Sequence, residues 1–371
     1  MKLRGAALNL VAPLAAIVFA VVLSSIILQA AGYSSVTAYR SMWTYGIKTD
    51  SIISTINRAI PLYIAALAVG IGFKMNLFNI GVEGQYRIAA LVAAAFGAWV
   101  SLPAVLDVTL IVIIAMAVGA SWALIPAVLK VTRGVHEVIS TIMLNTIAFG
   151  LGSYLLSTYF QEESESLVTR TKELPKAAQM PSLNRALDAV GVNIPTGSQL
   201  RGFLIVAVAI GVAYYVLVWK TRFGYDLRAS GTNPAAAQAS GVNPKSMVVR
   251  TMLLSGAIAG LVGIGDLLGF FHNYSIDFPT GLGFTGIGVA LLGRNHPAGM
   301  AAGAFLFAYL DRSAQVLDLR GIPREIVVIM QGIILLSVVV AYEVVHRVAV
   351  ARETKAAAEA TAAEPEPELV S

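Results

Sequence analysis

The sequence predicts an all-α integral membrane protein, a polytopic bundle of about ten spans with both termini cytoplasmic, eight to ten being the range its windows allow. Two observations carry this. Only 13% of its 371 residues are charged while 57% are hydrophobic, against about 25% charged in a soluble domain. The charge-free windows are long and many. The chain has no cysteine, which removes disulfides, thiolate metal sites and cysteine nucleophiles from consideration. A net charge of +5 fits basic cytoplasmic loops better than a nucleic-acid partner.

The windows free of Asp, Glu, Lys and Arg run over 5–39, 59–73, 88–106, 108–129, 138–161, 202–219, 251–265, 278–293, 295–310 and 326–342. A spanning helix needs about 20 apolar residues. Windows 5–39, 88–106, 108–129, 138–161 and 202–219 reach that length alone, 326–342 sits at the lower limit, and the others need flanking residues or are shortened helices. The first window is too long for the apolar region of a signal peptide, so it reads as an uncleaved first helix. Lys74, Lys130, Arg133, Lys220, Arg222, Arg228, Lys245, Arg250 and Arg294 then fall on the cytoplasmic side, with Arg347, Arg352 and Lys355 after the last span. The division is a transmembrane domain over 1–350, an extracytoplasmic loop at 162–201, a cytoplasmic loop at 220–247, and a disordered cytoplasmic tail over the Ala-, Glu- and Pro-rich residues 351–371.

Polar groups inside a bilayer are expensive and invite a functional reading. Between two windows lies the run from Lys74 to Gln85, where Asn76, Asn79, Glu83 and Gln85 are closely spaced beside Gly81 and Gly84. It reads either as a broken helix lining a translocation path, or as a capped cytoplasmic turn with Glu83 paired to Arg87. In the next cluster Glu137, Thr141 and Asn145 share one helical face. Glu137 suits the dipole of a helix start. The Asn145 amide could read a sugar hydroxyl or a base edge, or simply bond another helix. Residues 278–297 hold five glycines, Gly281, Gly283, Gly286, Gly288 and Gly293. That composition predicts a short or half-membrane helix, and Phe284 within it is a further candidate for the path. Gly256–Gly260 and Gly299–Gly303 have spacings that permit close helix contact. Asp266 and Asp311, near span ends, read as members of interfacial ion pairs.

Residues 224–241 encode a very short helix with sharp ends. Asn233 is an N-cap, Pro234 suits the first helical position, and Gly241 suits the position beyond the end. So short a helix needs a partner surface, as a coupling helix seated in an ATPase groove would. The coupling set is Gly224, Asp226, Arg228, Gly231, Asn233, Pro234, Ala236, Ala237 and Gly241.

Several chemistries lack their motifs. There is no phosphate loop of the form GxxxxGK[ST], no HExxH and no GxSxG. The four histidines are scattered over loops and span ends, so no metal site is expected.

The stretch from Asn76 to Gln85 resembles the permease subunits of bacterial ABC importers of the branched-chain amino acid/ribose class. Residues 134–145 and 286–297 are similar to the nucleoside (simple-sugar) branch of that class, and the resemblance covers about residues 58–345. It implies a bacterial inner-membrane transport subunit rather than an enzyme. Partner ATPases would bind ATP and magnesium, and this chain would bind no cofactor. A second, different membrane permease subunit and a lipid-anchored or periplasmic substrate-binding protein would complete the importer. Nucleosides are the expected cargo. A ribose-like sugar or a branched-chain amino acid is the nearer alternative, and an ion-driven secondary transporter is the alternative of another class. The last would need ionisable relay residues, for which Asp107, Asp266 and Asp311 are available.

Overall fold

A computed structural model describes residues 18–162, 168–189, 191, 194, 195 and 197–362. Among these the chain is helical, with no strand and three isolated bridges, Gln161 with Thr171, Arg170 with Ser275 and Ser182 with Arg201. The helices are α1 (Val18–Ala30), α2 (Ser35–Gly46), α3 (Thr49–Phe73), α4 (Val82–Trp99), α5 (Ala104–Arg133), α6 (Glu137–Leu155), α7 (Asn184–Ala189), α8 (Phe203–Lys220), α9 (Arg222–Thr232), α10 (Pro234–Ala239), α11 (Pro244–Gly260), α12 (Ile264–Asp266), α13 (Leu282–Leu292), α14 (Pro297–Asp318) and α15 (Glu325–Ala362).

Among the described residues, five segments are long and apolar enough to cross a membrane: α3, α5, α6 with its π-helical extension to Phe160, α8, and the run from α11 to Phe271. The helices α1 and α2 would form a sixth as a pair, but they meet at 118°. The first window is therefore not one straight helix over its described part, and residues 5–17 lie outside the described residues. The windows at 278–293 and 326–342 fall on shorter apolar helices, Leu282–Leu292 and Glu325–Val338. Helix α15 continues to Ala362, so the tail expected to be disordered from residue 351 is helical for its first turns, and 363–371 lie outside the described residues.

The chain divides into two compact units. The smaller holds Met1–Trp43 with Ala314–Ser371, the larger Thr44–Ser313. In the smaller, the Tyr39 hydroxyl donates to the Val21 carbonyl (3.1 Å) and Arg320 donates to Ser41 Oγ (2.6 Å). All the candidate site residues are in the larger unit, which is built around α3. From Ile60 to Gly72 almost every residue of that helix is buried, and it contacts α4, α8, α11, α12 and α13. In a bilayer such all-round burial means that protein, rather than lipid, surrounds the helix.

The tightest packing is between α5 and α11, where backbones touch. A Cβ on Gly119 would lie 2.2 Å from the Gly256 carbonyl oxygen, and one on Gly260 would lie 2.1 Å from the Ala115 carbonyl oxygen. The Gly256–Gly260 spacing thus does what such spacings allow: without side chains between them, the two helices gain close dispersion contact that lipid cannot replace. Residues 171–180 are sewn to the segment after α12 by main-chain bonds, Thr171 to Tyr274, Leu174 to His272 and Met180 to Leu268. The loop carries two short helical pieces, the 3₁₀ turn Lys176–Ala178 and α7.

Replacing Gly260 by Val should lower the unfolding midpoint of the detergent-solubilised protein, the overpacking costing about 1–3 kcal/mol or more. Replacing Gly150, whose Cβ direction is open, by Ala should leave the midpoint within a degree or two. Equal effects of the two changes would show that the α5–α11 contact is not specially tight.

Candidate functional site

The chain between α3 and α4 does not simply turn at the membrane surface. Helix α3 ends at Phe73, but Asn79 donates to Ser255 Oγ (2.9 Å), and that hydroxyl donates to the carbonyl of Ala68 (2.6 Å). Asn79 therefore lies level with a residue five positions before the helix end, about 7 Å back into the bundle at 1.5 Å per residue. The turn is made by Leu77 N–H donating to Gly72 O (2.9 Å). A Cβ on Gly72 would meet the Leu77 oxygen at 2.7 Å. Asn76 adopts a left-handed φ of 53°, a conformation Asn tolerates better than most residues.

Backbone that leaves helical geometry at this depth needs protein partners for its polar groups. The predicted polar residues supply them. The Asn79 and Gln85 side chains bond each other reciprocally at 3.0 Å, and Asn79 Oδ1 also accepts from Gly81 N–H (3.1 Å). Asn145 reaches over from α6, donating to the Ile80 carbonyl (3.0 Å) and accepting from Gly84 N–H (2.8 Å). Glu137, held by Lys130 (2.6 Å), accepts from Phe78 N–H (3.3 Å). Asn79, Gln85 and Asn145 are 1%, 1% and 4% exposed, so their hydrogen bonds stand in for water entirely.

Glu83 is not paired with Arg87. Its Oε1 accepts from Gly281 N–H (2.7 Å) and from the Tyr86 hydroxyl (2.9 Å), and its Oε2 accepts from Gly283 N–H (2.9 Å). These amides belong to the start of α13, where unsatisfied N–H groups and the positive end of the helix dipole favour an anion. Glu83 also lies in the first turn of its own helix α4. One buried carboxylate thus serves two helix N-termini. Gly281 has φ 81°, and a Cβ on Gly283 would sit 2.6 Å from Glu83 N, so glycine is required for the approach.

The remaining candidates lie elsewhere. The Thr141 hydroxyl bonds back to the Glu137 carbonyl (2.7 Å) and its side chain packs on Gly81. Phe284 points outward, 51% exposed, on α13. Asn76 is exposed and donates to Gly231 O (2.7 Å) at the end of α9, which places it with the coupling set and away from the seam. Sequence reasoning missed Ser255, Tyr86 and the Gly281/Gly283 amides; a glycine pair following Pro279 is the one local signal for the last. Of the acidic residues considered for a relay, Asp266 pairs with Arg201 and Asp311 with Arg58. Asp107 is buried with neither oxygen partnered.

The residues expected to couple lie in the α8–α11 connection. Thr221 Oγ1 caps α9 by accepting from Gly224 N–H (3.1 Å), and a Cβ on Gly224 would meet the Leu217 and Val218 oxygens at 2.2 and 2.3 Å. Asp226 and Arg228 are half-buried on α9. Asn233 Oδ1 accepts from the Ala235 and Ala236 amides at 3.1 Å each, Pro234 opens α10, and Gly241 follows it with φ 84°. In this six-residue helix only Ala237 is buried; Ala236 and the rest are exposed. Helix α9 touches the seam directly, because a Cβ on Gly231 would lie 2.7 Å from Met75 Cα and 2.8 Å from the Lys74 oxygen.

Replacing Glu83 by Gln leaves one oxygen for two α13 amides. The expected loss is about 1–3 kcal/mol of stability, with faster hydrogen exchange at Gly283. Unchanged exchange at that amide would remove Glu83 as its cap.

Residues 51–339 match the family described as the branched-chain amino acid transport system permease component. The chain is 34% identical over 342 residues to the guanosine ABC transporter permease protein NupP of Bacillus subtilis, covering 91% of this chain and 94% of that one. It is 33% identical over 335 residues to the nucleoside ABC transporter permease protein NupB of Lactococcus lactis (89% and 90% covered). It is also 33% identical over 329 residues to the glucose ABC transporter permease protein TsgB13 of Haloferax volcanii (88% and 86% covered). No solved structure matches the chain. With a buried polar seam between its helices and a short capped helix outside it, this multi-pass membrane protein belongs to the ABC transporter permease family, whose members are transport subunits.

Proposed function

We propose that this permease subunit moves nucleosides inward across a bacterial cytoplasmic membrane, driven by separate ATPase chains that bind ATP and magnesium. A second membrane subunit of different sequence and a substrate-binding protein complete the machine in this reading. The cargo rests on the nucleoside relatives, whose similarity extends over nearly the whole chain. The glucose relative, almost as similar, favours a simple sugar as the second reading.

The observation that supports ATPase coupling is the chain of contact from α10 to the seam. An exposed six-residue helix is too short to be stable unaided, so it gains from a protein groove that accepts it. Its base is α9, whose Gly231 lies against the backbone of Met75 and Lys74 and whose Gly231 oxygen is held by Asn76. A displacement of α10 therefore reaches residues 74–81 through backbone contact, with no long side chain to absorb it. From there it acts on Asn79, Glu83 and Asn145, the groups that hold the broken helix and α13 in register. Alternating access in this reading is a repacking of that seam. The path's own walls, for which Asn76, Asn79, Glu83, Gln85, Thr141, Asn145 and Phe284 are the candidates, open only as the seam rearranges.

Uptake of labelled guanosine and adenosine should be lost on deleting this chain from cells retaining the companion subunits, and excess unlabelled nucleoside should compete. Loss of glucose or ribose uptake instead would move the cargo to sugars. Replacing Gly231 by Ala should lower uptake by about tenfold while ATP hydrolysis by the assembled transporter continues. Replacing Asn233 and Pro234 together should give the same uncoupling. Normal uptake in both variants would sink the coupling assignment.

A further inference from the structure

The larger unit carries a groove of about 540 Å³ that the seam does not use, lined by α3, α8 and α14. At its floor Gly211 lets Tyr63 lie against α8, since a Cβ there would fall 2.0 Å from the Tyr63 hydroxyl, and Ala298 and Ala301 leave the α14 side shallow. Val208, Val212 and Phe305 form its rims and are 55%, 59% and 42% exposed. Along α8 it extends from Leu204 to Tyr215, about 16 Å at 1.5 Å per residue. That is about one leaflet of a hydrocarbon core about 30 Å thick. A slot of this length, open sideways and without charge along its walls, has the shape of an extended hydrocarbon chain.

One end of the groove differs from the rest. Tyr215 and His296 line it there, and both rings meet Trp219, Tyr215 stacked at 5.5 Å and His296 tilted at 5.5 Å. Such an aromatic group sits at the headgroup level of a bilayer. Cations surround it. Lys74 Nζ lies 5.1 Å over the Trp219 ring and Lys220 Nζ 6.0 Å over the Tyr215 ring. Neither lysine forms a salt bridge with a carboxylate among the described residues. The Lys74 ammonium is pushed below the ordinary lysine range, by burial first and then by the nearby Arg228 and Arg294. Positive charge is thus concentrated at the mouth of an apolar slot, where an anion would relieve the repulsion.

We propose that this groove binds one anionic phospholipid, an acyl chain lying against Gly211 and Ala301 and the phosphate resting among Lys74, Lys220 and the exposed edge of His296. The chain-length slot accounts for the tail, and the cations account for the headgroup; neither feature alone selects a charged lipid. The site lies beside α9, whose Arg228 belongs to the same cationic group, so a lipid seated there would also steady the foot of the coupling segment. Attraction of juxtamembrane lysines to anionic lipid is general; the groove makes it a site with a stoichiometry of one.

The test uses the full chain, purified in a mild nonionic detergent, delipidated, and titrated with phosphatidylglycerol or phosphatidylcholine of identical acyl chains. Native mass spectrometry counts bound lipid. The expected result is one phosphatidylglycerol retained about tenfold more strongly than phosphatidylcholine. The double change Lys74→Gln with Lys220→Gln should erase that preference and leave phosphatidylcholine retention as it was. Ala301→Phe should weaken both lipids, and Ala298→Phe offers a second filling variant should the first fail to fold. Equal retention of the two lipids by the unsubstituted chain, or a preference that survives loss of both lysines, would overturn the proposal. Because the chain has no cysteine, Ala298→Cys supplies its single thiol in the assembled transporter. Quantitative cross-linking from it to a companion membrane subunit, with no lipid retained, would overturn the proposal in favour of a protein interface.

Discussion

The larger unit depends on a carboxylate that pairs with no Lys or Arg among the described residues. Glu83 begins one helix and closes the beginning of another, accepting two amides from α13 while lying in the first turn of α4. A formal charge in a bilayer interior is ordinarily prohibitive. Here two helix N-termini offer their partial positive charges, and the Tyr86 hydroxyl adds a third donor. That pairing lets a short helix start deep inside the protein instead of at the surface. It also explains why α3 can be wrapped on nearly every side: α13 packs against it at Gly286, where a Cβ would meet that of Ala65 at 2.5 Å.

Around this carboxylate the neutral amides do a complementary task. Asn79, Gln85 and Asn145 replace the water that a broken helix would otherwise need, each bonding main chain or one another. Amides are well suited because each both donates and accepts, and they can exchange partners without moving a charge. A seam of this kind holds one arrangement firmly and still permits another with the same number of bonds. Transport requires two stable arrangements of the same bundle.

What could be read from the residues followed how local each signal was. The α10 helix is specified within nine residues, by a side chain that caps its own amides, a proline that fits the first turn and a glycine with positive φ, and it appears where those residues place it. The shortness of α13 was legible in its glycines. The break between α3 and α4 was legible in polar residues that an ordinary span would not tolerate. The partners were not. Glu83 finds Gly281 and Gly283 about two hundred positions away, and nothing near it distinguishes that outcome from an ion pair with Arg87, one turn along the same helix. Asn76, three residues from Asn79, faces away from the seam because its left-handed backbone turns it toward Gly231. Ser255 carries no mark in sequence beyond lying beside Gly256. The helix that continues past residue 351 draws on Ala and Glu, which favour a helix and a solvated tail alike.

The composition of α10 bears on how a motor would choose its permease. Proline, alanines and a single glutamine give a surface almost without charge or distinguishing side chains, so a groove that accepts it reads shape alone. Different permeases bearing such a knob would look much the same to one ATPase. In the proposed assembly, discrimination between such permeases then falls to the flanking Arg222, Asp226 and Arg228 on α9.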